Sequence, residues 1–389
     1  MTEATEPFPA GRRLGRRGFL GAAAAVGVPP AVRGVPTAPV PVAAADPAPG
    51  AGVAAAVPAA GRSAARLLAV PGGHRDVPWI RDALQTALEL ELATLPPYLC
   101  AWWSIRDRSD PAARLIQGIV YDEMFHMALV CNLLVAVGGR PSIVDGVMSY
   151  PGPLPGGVRE DLTVRLAGLG HDFVRDVMMG IELPEAPVAR VAGPPSIGSF
   201  YDGLAAAFEE AAPELAADGQ LRQRIGPNML EPVARPSDVA RVIETVKEQG
   251  EGTSTSPECS LGREMLGHYY AFGEIYHERM LERVDGVWEY SGDPLPFPDV
   301  RPMGVVPADG WPSPERRVRR LLHQCDALFT TVLRELEAAW DGGGHRALGR
   351  AVAAMRSMEK PATALMDIPV PGTDRTYGPQ FRPLSDPAS

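Results

Sequence analysis

After residue 76 apolar positions recur at helical spacing through most of the chain. The clearest stripe joins positions 116, 119, 120, 123, 126, 127, 130, 133, 134 and 137. Eight of those ten are apolar, so the two exceptions, Glu123 and His126, stand in the middle of a buried face. Asp110-Pro111 is a start signal for this helix, and Gly138-Gly139 with Pro141 stops it. An earlier helix begins at the N-cap residue Asp76, with Pro78 in its first turn. Pro96 and Pro97 each remove a backbone donor and are expected to kink or end it, with helix resuming through Trp102, Trp103 and Ile105. Residues 140–170 read as a long connection, with extended structure around 162–166. Shorter helices are expected over 173–182, 197–215 and 238–249, and a further core helix over 261–283. A long helix follows Ser313-Pro314, with Val318, Leu322, Cys325, Phe329 and Leu333 in register. Gly342-Gly343-Gly344 ends it, before a shorter helix through Leu348, Val352 and Met355.

The polar exceptions carry the chemistry. An ionised carboxylate on an apolar stripe costs stability unless a partner balances it. Glu123 and His126 are three apart, on one helix face. Upstream, Glu91 shares a face with Leu84, Ala87, Leu88, Leu95 and Tyr98, so it points inward. Glu89 shares its face with Asp82, Gln85 and Thr86, and is expected to point outward. Carboxylates and imidazole together suit iron or manganese. Glu91 with the Glu-x-x-His pair is half of the dimetal site of ferritin-like bundles. For the other half, the third-helix ligand is Glu251, which follows Gly250 where the helix can unwind; Glu248 and Glu182 are the alternatives. The fourth helix offers His268, on the apolar stripe of Met265, Phe272 and Ile275 with Glu264 one turn earlier. The rival is Glu274/His277, which repeats the Glu-x-x-His spacing beside Glu278, Arg279, Glu282 and Arg283. His268 is preferred, and His277 is then a surface residue or one that supports a ligand from behind.

Six ordered blocks resemble the ferritin-like domain of the iminophenyl-pyruvate dimer synthase type. They are Glu89-Leu90-Glu91-Leu92-Ala93-Thr94-Leu95-Pro96-Pro97-Tyr98-Leu99, Asp122-Glu123-Met124-Phe125-His126, Tyr150-Pro151-Gly152-Pro153-Leu154-Pro155-Gly156-Gly157, Ile181-Glu182-Leu183-Pro184-Glu185, Glu248-Gln249-Gly250-Glu251-Gly252 and His268-Tyr269-Tyr270-Ala271-Phe272. The resemblance covers about residues 76–285. It implies an all-α, ferritin-like four-helix bundle with a long crossover, here with an added C-terminal helical hairpin. It also implies a carboxylate/His centre of two iron or manganese ions, at Glu91, Glu123, His126, Glu251 and His268. The implied activity is dioxygen-dependent oxidative coupling of imines derived from amino acids. Larger members of the group are associated with haem, although no CxxCH motif occurs here. The competing class is a bundle that holds metal for storage or scavenging.

Charge and composition narrow the partners. The chain has 389 residues, with 46% hydrophobic and 22% charged residues and a net charge of −10. Nucleic acid is not a partner such a balance would take, since there is no basic stripe to meet phosphates. A small-molecule substrate and dioxygen are the expected partners. Cys100, Cys131, Cys259 and Cys325 form no CxxC and read as small core residues, with one disulfide left open for an exported chain. Arg16-Arg17-Gly18-Phe19-Leu20 has the form of a twin-arginine export motif, followed by an apolar segment too short to span a membrane. Residues 1–45 are therefore read as a signal peptide for a periplasmic or extracellular destination, and 46–75 as an Ala/Pro-rich linker. Residues 76–285 are the dimetal domain, 286–312 a Pro/Gly-rich connection, and 313–389 a helical extension that covers the bundle or forms a homodimer surface.

Overall fold

The computed structural model describes residues 63–184, 197–251, 256–259 and 265–385. The leader, most of the linker, Glu185 and Glu264 lie outside them, as does the side chain of Glu251. A short helix α1 (Ala64–Leu68) leads into two long antiparallel helices, α2 (Val77–Ser104) and α3 (Pro111–Ala136). Both start as the caps predict. Asp76 accepts from the Trp79 amide, and Asp110 accepts from the Ala112 amide. All ten positions of the α3 stripe are buried. By length and composition α3 is apolar enough to cross a membrane, but most of it is enclosed by the bundle.

The crossover carries a small antiparallel pair, β1 (Gly152–Pro153) with β2 (Thr163–Val164). Next come α4 (His171–Phe173), a π-helical turn (Val174–Met178) and α5 (Met179–Ile181), which form one short winding segment. Helix α6 (Ile197–Ala211), a hairpin of β3 (Gln223–Ile225) and β4 (Asn228–Leu230), α7 (Pro236–Glu251) and α8 (His268–His277) close round α2 and α3. A second hairpin, β5 (Glu282–Val284) with β6 (Val287–Glu289), precedes the C-terminal pair α9 (Arg316–Ala338) and α10 (Gly344–Met366). The cysteines are all free.

Four local expectations change. First, α2 runs unbroken through Pro96 and Pro97. Pro97 cannot supply the amide that Ala93 O would accept in a regular helix, and Tyr150 OH donates to that carbonyl instead at 2.8 Å. Second, Glu89 is buried, because the crossover covers that side of α2. Gln85 Nε2 donates to Glu89 Oε1 at 3.2 Å and to Ser142 O at 2.9 Å, tying the two together. Third, the helix expected over 261–283 is the shorter α8. It ends where Glu278 takes a left-handed conformation, φ 54°, and the chain turns into the β5–β6 hairpin. Fourth, the second helix of the C-terminal pair equals the first in length, both having 23 residues.

Candidate metal centre

Five ligand-type side chains converge between α2 and α3 in the middle of the bundle. Glu91 comes from α2, and Glu123 with His126 from α3. Glu182 follows α5 directly, and His268 is the first residue of α8. All five are buried. They form two groups whose ligand atoms lie within 4.8 Å of one another: Glu91, Glu123 and His126, and Glu123, Glu182 and His268. Glu123 belongs to both. His126 Nδ1 is 3.5 Å from Glu91 Oε2 and 4.0 Å from Glu123 Oε1. His268 Nδ1 is 2.8 Å from Glu123 Oε1 and 3.8 Å from Glu182 Oε1. The two imidazole rings lie 5.7 Å apart, 25° from parallel.

A ring of hydrogen bonds holds these side chains. Tyr98 OH donates to Glu182 Oε1 and Tyr201 OH to Glu91 Oε1, each at 2.6 Å. Thr94 Oγ1 donates to Glu123 Oε2 at 2.9 Å. Gln249 Oε1 sits 2.6 Å from His126 Nε2, so a proton on Nε2 leaves the Nδ1 lone pair turned towards Glu91 and Glu123. Asp122 plays a looser version of this role, 3.7 Å from His268 Nε2, and is itself held by Asn228 Nδ2 at 2.7 Å.

Charge is crowded here. Burial and then the Glu182 charge push Glu123 up to about 7, against the pull of His268. Burial opposes an imidazolium at His126, but Glu91 and then Glu123 outweigh it and raise the pKa to about 9. Burial likewise opposes charge on His268, where Asp122, Glu123 and Glu182 win and lift it well above the usual histidine value. Burial and the adjacent carboxylates keep Tyr98 and Tyr201 protonated, hence donors.

The donor set could hold metal. Three buried carboxylates meet no Lys or Arg among the described residues. Both ring nitrogens of His268 are buried without a well-directed hydrogen bond. The 2.8 Å contact to Glu123 is close enough for charge pairing, but its direction is wrong for a linear N–H···O bond. A buried imidazole with unspent nitrogens, facing shared carboxylates, suits metal ligation.

Of the residues singled out in the sequence, Glu91, Glu123, His126 and His268 come together. The helix end that bears Glu251 also approaches: a Cβ added at Gly250 would lie 3.5 Å from Glu182 Oε2. Glu182 supplies a carboxylate to the second group. Glu248 is buried but is in neither group. Glu274 is buried and accepts from the Leu281 amide at 2.9 Å, while His277 is exposed and stacks on Tyr290. Sequence reasoning missed Tyr201, Gln249 and Asp122. Tyr98 was visible only as a member of the apolar face of Glu91, and Tyr201 lies within the helix expected over 197–215, where a phenol at helical spacing reads as core. Gln249 and Asp122 lay inside the resembling blocks, but carried no signal of their own.

Residues 84–277 match the Ferritin-like family model. A solved structure, a ferritin-like protein from Caulobacter vibrioides, superposes with a TM-score of 0.57 at 23% identity, over 78% of this chain and 97% of that one. That likeness speaks for the fold. No curated protein matches the chain. Residues 84–277, which hold all five converging side chains, form a ferritin-like domain.

Proposed function

We propose that Glu91, Glu123, His126, Glu182 and His268 hold two iron or manganese ions, with Glu123 shared between them. We further propose that the protein is an exported oxidoreductase that uses dioxygen on a small organic substrate. Of the three acids weighed for the third-helix position, Glu182 is the one within reach of Glu123 and His268, while the side chain of Glu251 lies outside the described residues. The carrying observation is the double membership of Glu123, one carboxylate within reach of both histidines. Bound there, such a metal pair supplies the electrons that activate dioxygen. The chain's own part is to orient and to keep protons in place. Gln249 holds the His126 tautomer, and Thr94 fixes Glu123. Tyr98 and Tyr201, held protonated, donate to the outer carboxylates and fix their orientation beside the centre.

The two phenols favour turnover over storage. A holding site needs carboxylates, whereas oxidisable hydroxyls 2.6 Å from two of them suit a centre that changes charge. The resemblance to iminophenyl-pyruvate dimer synthases suggests the reaction: oxidative coupling of imines derived from amino acids. Elemental analysis of untagged protein tests the centre, with about two transition-metal ions per chain expected. Oxygen uptake by the loaded protein in the presence of an arylpyruvate imine tests the reaction. Metal binding without substrate-dependent uptake would leave a storage protein.

A further inference from the structure

A cavity of about 350 Å³ lies between α3, the β3–β4 hairpin and α7, beside the centre but outside its ligands. That volume is within the range of small-molecule sites. Along α7, Arg241, Thr245 and Gln249 follow at four-residue steps and line it as one polar row. Eight residues of helix make the row about 12 Å long. Phe125 and Leu129 of α3, with Met229 and Met265, provide apolar wall.

The two ends of the row differ. At the inner end, Gln249 is 7% exposed, and its carbonyl oxygen is committed to His126. Its amide nitrogen makes no hydrogen bond to any described residue, while the side chain lines the cavity. That amide N–H₂ faces the cavity as a donor open to an acceptor bound there. At the outer end stands Arg241. Glu231 also lines the cavity, but Arg222 pairs with it at 2.9 Å. Asp238 is shared by Arg235 at 2.9 Å and Arg241 at 3.2 Å. Each of these carboxylates thus has a guanidinium from outside the lining, and Arg241 is the lining's own cation.

We infer that this cavity binds an elongated, mostly apolar monocarboxylate, with the carboxylate at Arg241 and a carbonyl or hydroxyl oxygen at Gln249. Its apolar body lies against Phe125, Leu129 and Met229. Binding here does not depend on the metal reading. Through the bond from Gln249 to His126, however, an occupant touches the support of one proposed ligand.

The test is calorimetry on the full-length protein as purified, with 3-(4-acetylphenyl)propanoate as probe. Two analogues remove one feature each: 3-(4-ethylphenyl)propanoate lacks the ketone oxygen, and the probe's methyl ester lacks the charge. Each analogue is expected to bind about tenfold more weakly than the probe. Arg241→Gln, at an exposed position, should weaken both acids and leave the ester unchanged. Gln249→Leu should bring the probe down to the affinity of the ethyl analogue, and leave that analogue as it was. No binding up to about 10 mM, a range that still detects weak ligands, would overturn the inference. So would binding that ignores both substitutions, the result expected if the carboxylate simply ligates a metal.

Discussion

Two buried acidic groups in this molecule are treated in opposite ways. Asp326, in the C-terminal pair of helices, is enclosed by α9 and the chain end. Gln380 Nε2 donates to its Oδ2 at 2.8 Å and the Arg382 amide to its Oδ1 at 3.1 Å. Each oxygen has a directed neutral donor. Burial raises its pKa, and these bonds partly offset that. Glu123, between α2 and α3, has one hydroxyl donor and otherwise faces two other carboxylates and two imidazoles. The C-terminal acid is finished by the fold, and the central one is not. A buried carboxylate with complete local bonding ties chain segments together. A buried carboxylate crowded by its own kind depends on cations beside it, here the imidazolium groups or a bound metal that replaces their protons.

The sharpest way to break this contrast is to remove the shared carboxylate. Glu123→Ala should take metal content from about two ions per chain to near none, since it deprives both groups at once. His268→Ala should lose the second group and about half the metal, while His277→Ala, on the exposed end of α8, should lose none. Elemental analysis of the three variants decides. Full retention of metal in Glu123→Ala would place the ions elsewhere.

Acidity should separate the two acids as well. Glu123 taken alone titrates at about 7 and His126 at about 9, both raised. A metal ion must displace those protons, so its affinity should rise with pH. The gain is about tenfold per pH unit for each proton displaced. Below about 7 Glu123 and both imidazoles contribute, above that the imidazoles alone, and above about 9 the contribution of His126 fades. Competition titration against a chelator measures the slope. A flat profile from about pH 6 to 9 would contradict the assignment, because these ligands must lose protons to bind. Asp326 should have no part in this dependence.

Asp326→Ala tests the other half. It strands Gln380 Nε2 and the Arg382 amide, at a cost of about 1–3 kcal/mol. Thermal denaturation should show the loss, with metal content untouched. Metal loss in this variant would mean that the C-terminal pair supports the centre after all.

The α3 stripe and both N-caps were legible in the sequence, because periodicity and capping are local. So was the inward direction of Glu91, set by its helical neighbours. The burial of Glu89 was not legible, since only the crossover, fifty residues on, covers that face. The same limit hid Tyr201 and Gln249. Each meets its partner from a different helix, 110 and 123 residues away in sequence. Glu182 stood in the sequence only as an alternative to Glu251. Its place in the second group depends on how α5 and α8 meet, which no local pattern records.

The smallest expected effect concerns how α2 carries two prolines near the centre while α10 carries one, Pro361, which is also buried. In α2, Tyr150 OH replaces the donor that Pro97 lacks, at Ala93 O. In α10 the residue four before Pro361 is Ser357, which is exposed, so water can serve its carbonyl. Tyr150→Phe should therefore cost about 1–2 kcal/mol, the price of a stranded buried carbonyl. Pro97→Ala supplies an amide to the same carbonyl. In that background Tyr150→Phe should cost about 1 kcal/mol less, a coupling readable from a double-mutant cycle in urea. Pro361→Ala, far from Tyr150, should show no coupling with it. Additivity between Tyr150 and Pro97 would mean that the phenol is not what lets α2 run straight through to Ser104.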